Sequence, residues 1–145
     1  MVPTLTGRIQ TRIFLLAIVG GLITAVIVPA LPGRAPLGDK YQDGFLVLLS
    51  VAVLGVLWEL VYHLLMQWRW EKDWPTLFGL ATSVPEGVLV WLLLRAGAIP
   101  GLAGTVGGAA FAIQFIAVWL GVWLAANGPM RVPFIRWRFY GGRLL

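Results

Sequence analysis

Long apolar runs, broken by short polar or turn-forming stretches, set the pattern of this chain. A bilayer core takes about 20 helical residues at roughly 1.5 Å each. Four runs reach that length, over 13–31, 44–66, 76–95 and 102–126. Their ends carry stop signals. Pro29 and Pro32 close the first, Trp74 and Pro75 precede the third, and Asn127, Gly128 and Pro129 end the fourth. The pattern predicts an all-α polytopic membrane protein, a single domain 1–145 of four transmembrane helices with a basic, aromatic tail over 130–145. Arg8 and Arg12 ahead of the first run, with Val28, Pro29 and Ala30 near its end, imitate a cleavable leader. The run is longer than a leader core and three more spans follow, so a retained helix is expected.

Composition removes the soluble alternative. Of 145 residues, 59% are hydrophobic and 12% charged, against about 25% charged in soluble domains. Mean hydropathy is +0.87, which calls for an apolar solvent. Cysteine is absent, which excludes disulfides, thiolate metal sites and a cysteine nucleophile.

The net charge of +5 does not point to nucleic acid, because the cations lie between and beyond the apolar runs. On one side stand Arg8, Arg12, Arg69, Lys72, Arg131, Arg136, Arg138 and Arg143; on the other, Arg34, Lys40 and Arg95. That asymmetry places both termini in the cytosol, N-in and C-in, and a bacterial plasma membrane is the expected residence. Trp68, Trp70 and Trp74 in the second loop, with Trp123 and Trp137 near the same face, mark the headgroup level on that side.

Helices in lipid associate through close packing, which favours small residues at helical spacing. Ala17, Gly21 and Ala25 form one such stripe, and Gly104, Gly108 and Ala112 another. Charge at membrane depth costs about 2.5–3.5 kcal/mol per residue, so Glu59 and His63 in the second span and Glu86 in the third should face the bundle. Gly55, Glu59 and His63 share one predicted helix face, as do Gly79, Thr82, Ser83 and Glu86. With Gln114 and Thr24 these side chains are expected in one polar layer at roughly 10–18 Å depth. Pro85 removes a backbone donor and should bend the third helix, leaving a carbonyl in need of a partner. Between Ile13 and Leu31 the first run carries no ionisable residue.

Two readings of the layer follow. As polar glue, Glu59 and Glu86 are protonated and bond each other, Gln114 or Thr24. As a proton- or cation-handling site, the two carboxylates and His63 exchange protons beside a bent helix. No metal is expected: His63 is the only histidine, and metal sites want more nitrogen or sulfur ligands. The stretch from Gly33 to Tyr41 is not a phosphate loop, since no Ser or Thr follows Lys40, and Glu59 to His63 lacks the second histidine of a zinc-protease motif. With no catalytic constellation, an enzyme is not expected, nor is a cofactor.

In the tail, Arg131, Arg136, Trp137, Arg138, Phe139 and Arg143 suit either an anionic leaflet or a protein interface. The leading expectation is a non-catalytic subunit of a larger membrane assembly, acting by helix packing and tail docking. Its partners would be the lipid bilayer and other membrane subunits or copies of itself. The alternative is a small oligomeric proton-coupled transporter or channel using Glu59, Glu86 and His63.

Overall fold

The computed structural model describes residues 4–68 and 77–145. Among them no strand occurs, and four helices are long and apolar enough to cross a bilayer: α1 (Leu5–Ala30), α2 (Leu37–Gln67), α3 (Phe78–Arg95) and α4 (Gly108–Asn127). They point to a membrane-embedded protein. A short α5 (Ile135–Phe139) follows. Trp70, Trp74, Pro75, Arg69, Lys72 and the expected start of the third span at 76 lie outside the described residues.

Consecutive helices are neighbours and α4 returns to α1, closing an antiparallel ring. Three boundaries differ from the apolar runs. Helix α1 begins at Leu5, because the Thr4 hydroxyl caps it by accepting from Gly7 N at 3.2 Å. Its polar first turns, with Arg8 and Arg12, are therefore helical. Helix α2 begins at Leu37 behind Pro36, with Asp39 in the first turn, where the helix dipole favours an anion. Helix α4 begins only at Gly108, since the stretch before it is held as a loop over the start of α2: Gln42 Nε2 donates to Gly101 O at 2.6 Å and Ala103 N to Asp43 Oδ1 at 2.7 Å.

Two of these helices are irregular. A π turn at Leu16–Gly20 interrupts α1 and packs against α4. In α3, the helix breaks at Thr82 between Phe78–Ala81 and Ser83–Arg95. This is where Pro85 has no N–H to offer the carbonyl four residues back. The C-terminus of α3 is a Schellman turn, with Gly97 at φ 65°, Gly97 N donating to Leu94 O and Ala98 N to Leu93 O.

The interior draws on all four helices: Leu16, Val47, Leu48, Val51, Val90, Phe111, Phe115 and Val118 are buried together. Large apolar side chains also cover the outside, Leu22, Val26, Leu49, Leu57, Leu92 and Leu124 among them, the two-sided apolarity of helices that meet lipid. Close approach depends on other glycines than the two stripes. A Cβ on Gly44 would lie 2.8 Å from Val28 Cγ2, on Gly87 2.8 Å from Phe115 Cε1, and on Gly20 3.0 Å from Leu48 Cδ1. The stripe of Gly104, Gly108 and Ala112 is not a helix face: Gly104 lies outside α4, a Cβ there would meet nothing, and Ala112 is exposed. The stripe of Ala17, Gly21 and Ala25 is helical, but Ala17 is exposed and Gly21 has open space beside it, while Ala25 is half-buried and its carbonyl accepts from Tyr41 OH at 2.9 Å.

Gly87→Val is expected to lower the melting temperature in detergent by several degrees, the effect of about 1–3 kcal/mol of overpacking against Phe115. Gly21→Ala, placed in open space, should leave it unchanged.

Candidate functional site

All four helices meet at the Arg12 guanidinium. From α1 it reaches across the bundle, where Nη1 donates to Gly55 O at 3.1 Å and to Glu59 Oε1 at 3.0 Å on α2. Nη2 donates to Glu86 Oε2 on α3. Its carbon lies 5.4 Å from the ring centre of Trp119 on α4, within cation–π range. Gly55 makes the crossing possible, since a Cβ there would stand 2.9 Å from the guanidinium carbon.

Two further contacts complete the group. Tyr62 OH donates to Glu86 Oε1 at 3.0 Å. Arg8, one helical turn before Arg12, places Nε 2.8 Å from Glu59 Oε2. That oxygen is buried and accepts no aligned hydrogen bond, so the Arg8 contact is ionic attraction more than directed bonding. Two arginines and two glutamates give a formally neutral quartet. Its depth follows from the helix ends: Arg12 lies seven residues past Leu5, Glu86 eight past Phe78 and Glu59 eight before Gln67, each roughly 10–12 Å inside.

Around the quartet lies a cavity of about 320 Å³, at the end of the bundle where both termini emerge. Arg8, Arg12, Glu59, Tyr62 and Glu86 line it, with Gly79 and Thr82 from the broken start of α3 and Trp119, Trp123 and Asn127 from α4. The tail closes part of its wall through Trp137 and Gly142. Trp137 is buried and its Nε1 donates to Thr11 Oγ1 at 2.6 Å, while Thr11 in turn donates to Gly142 O at 2.9 Å. Thr4 N donates to Gly141 O at 2.9 Å and Leu144 N to Gln10 Oε1 at 3.0 Å. Glycine is needed at position 7 because any Cβ would overlap the Gly141 carbonyl.

No protein-family model, curated protein or solved structure matches the chain.

Of the residues singled out from sequence, Glu59 and Glu86 come together, but through Arg12 and not by bonding each other. Gln114 and Thr24 form a separate layer: Gln114 Nε2 donates to Gly44 O at 2.7 Å and lies 3.4 Å from Thr24 Oγ1. From Gly44 to Gly55 is about 16 Å of helix, so the single expected layer is in fact two. His63 joins neither, and has no hydrogen bond or ion pair among the described residues. The reason is angular. Steps of four residues advance about 40° beyond a full turn, so His63 stands about 80° from Gly55, and the inward seam of α2 runs instead through Val51, Gly55, Tyr62 and Met66.

The tail residues divide likewise. Trp137 is buried against α1, and Arg143 Nε donates to Thr4 Oγ1 at 3.3 Å. Arg131 donates to Asn127 Oδ1 at 3.1 Å, while Arg136, Arg138 and Phe139 remain exposed. The residues missed from sequence are Arg8, Arg12 and Tyr62. Their signal was the pairing of two arginines at i and i+4 directly before an apolar run with two carboxylates in later runs that needed counter-charges.

The network predicts strong coupling. Arg12→Leu or Glu86→Leu alone should cost about 3–5 kcal/mol, because each leaves an uncompensated buried charge. The double variant should cost less than the sum of the two, with a coupling energy of about 1–3 kcal/mol. Reversible unfolding in mixed micelles measures all three, and additivity would contradict the geometry.

Proposed function

We propose that this chain is a non-catalytic subunit of a larger assembly in a bacterial plasma membrane, seated with both termini in the cytosol. The observation supporting this reading is the division between its inner and outer faces. Among the described residues Arg8, Arg12, Glu59 and Glu86 are turned inward and paired with one another, whereas on the outer side of the first helix Ala17 is exposed and Gly21 has open space beside it. A neighbouring transmembrane helix could approach that face to backbone distance, the favoured mode of association in lipid. The exposed Arg136, Arg138 and Phe139 of the docked tail supply a second contact at the cytosolic rim. The proposed orientation does not depend on Arg8 and Arg12: without them, six cations remain against three.

Light scattering in mild detergent is expected to show a particle larger than one chain, either self-associated or with a co-purifying membrane protein. Gly21→Leu should dissociate it without lowering the melting temperature. A wild-type chain that runs alone would refute the proposal.

A small proton-coupled transporter is the second reading, favoured by the cavity that reaches Glu86 from the terminal end. Against it, the void lined by Val47, Phe115, Gln114 and Trp119 between the two polar layers measures only about 10 Å³, room for about one water. Proton-driven flux into liposomes decides: on the subunit reading wild type shows none, and flux that Glu59→Gln and Glu86→Gln abolish would establish the transporter.

A further inference from the structure

We propose that the cavity at the terminal end of the bundle is a binding site for an amphipathic organic anion, a carboxylate or phosphate group carried on an apolar body. The inference rests on neither reading above. At about 320 Å³ the space falls at the lower end of the roughly 300–1,000 Å³ of small-molecule pockets.

The sign of the ligand follows from which hydrogen-bonding groups are already used. Three of the four carboxylate oxygens accept hydrogen bonds, from Arg12 twice and Tyr62 once, and the fourth, Glu59 Oε2, is buried 2.8 Å from Arg8 Nε. One aromatic face in the wall, on Trp119, is taken by Arg12. A cation entering the cavity would meet the repulsion of Arg8 and Arg12. Donors, by contrast, are in surplus, because each guanidinium carries five N–H groups. Arg12 uses Nη1 and one Nη2 hydrogen, so its Nε and second Nη2 hydrogen have no acceptor among the described residues. Arg8 directs only Nε at Glu59 and Nη1 at Met66 Sδ, which leaves Nη2 without one. Planar pairs of such donors match carboxylate and phosphate oxygens.

Two other features agree. At this end, six arginines face two glutamates among the described residues. Besides Arg8 and Arg12, which line the cavity, two more border it, Arg131 bonded to the lining Asn127 and Arg143 adjoining the lining Gly142. The field at the mouth therefore attracts anions. The walls between donors and core are apolar, formed by Leu15, Leu16, Val122, Trp123 and Trp137, and would cover the body of the ligand while its charged group meets Arg8 and Arg12.

Tryptophan quenching tests this, with Trp119, Trp123 and Trp137 in the wall. The protein in phosphatidylcholine nanodiscs is titrated with ω-bromodecanoate and with the trimethylammonium and alcohol analogues of equal chain length. Saturable quenching is expected for the carboxylate, at about tenfold lower concentration than for either analogue, a difference of about 1.4 kcal/mol. Arg8→Gln should raise the half-saturation, and Ala126→Phe, which fills the cavity and keeps every charge, should abolish saturation with the melting temperature retained. Equal quenching by the three probes, preference for the ammonium, or saturation surviving in Ala126→Phe would overturn the assignment. Competition by phosphatidylglycerol built into the discs identifies a lipid headgroup as the source of the anion, and competition by soluble naphthoate identifies a free one.

Discussion

A guanidinium held between carboxylates of two other helices is the constraint to which the rest of this bundle conforms. Lipid tails are as apolar as leucine, so burial alone gives membrane helices little reason to choose one register over another. Charge supplies that reason. Arg12, Glu59 and Glu86 are each costly in hydrocarbon and become tolerable only when their helices bring them to one level. A slip of one residue moves a side chain about 1.5 Å along the axis and about 100° around it, enough to lose any of these bonds. The register of α1, α2 and α3 is thus set by one cation, with Gly55 leaving room for it and Trp119 offering α4 a share.

The network is joined to the core through aromatic rings. Phe111, Phe115 and Trp119 follow one another at i+4 on α4, with ring centres 5.5 and 5.4 Å apart, and Trp91 of α3 stacks on Phe111 at 5.4 Å. Arginine caps both ends of this ladder, Arg12 over Trp119 and Arg95 over Trp91 at 5.8 Å. Polarity accordingly differs from that of a water-soluble bundle. Thr24, Glu86 and Gln114 are as buried as the valines and leucines of the core, while other leucines and valines, Leu22 and Val26 among them, lie outermost. The second polar layer does at the far end what Arg12 does at the near one, since Gln114 of α4 bonds the backbone of α2 at Gly44 beside Thr24 of α1.

Hydropathy made the four spans legible, and the cost of charge in lipid singled out Glu59 and Glu86, since both signals act on single residues. What was not legible depends on where helices begin and which way they face. Treating Arg8 and Arg12 as flanking cations hid the counter-charges, because a run of apolar residues marks the hydrocarbon and not the helix. The Thr4 cap that carries α1 back to Leu5 was the available cue. Counting in fours groups His63 with Glu59 but drifts off the 3.6-residue period. The packing glycines could not be told from the others, because the chain holds 18 and only the crossing partners distinguish Gly44, Gly55 and Gly87 from Gly21 and Gly104. The return of the tail to α1 joins the carbonyls of Gly141 and Gly142 to Thr4 and Thr11, and the side chains of Arg143 and Trp137 to the same two threonines, a pairing of the chain ends that no local period marks beforehand.

The cavity and the network have a common origin. Accommodating two arginines, two glutamates and three indole rings at one end of the ring of helices forces the walls apart, whereas the far half closes on valine, leucine and phenylalanine. Guanidinium groups have more donors than two glutamates have oxygens to receive them, so a quartet that is neutral in charge remains unbalanced in hydrogen bonding. Water can fill that deficit, but the walls that would contain the water are leucine, valine and tryptophan, which solvate it poorly. A ligand with anionic oxygens at one end and an apolar body satisfies both surfaces at once. A bundle stabilised by an internal salt-bridge network in this way has, as a direct consequence, a place where such a molecule would be bound.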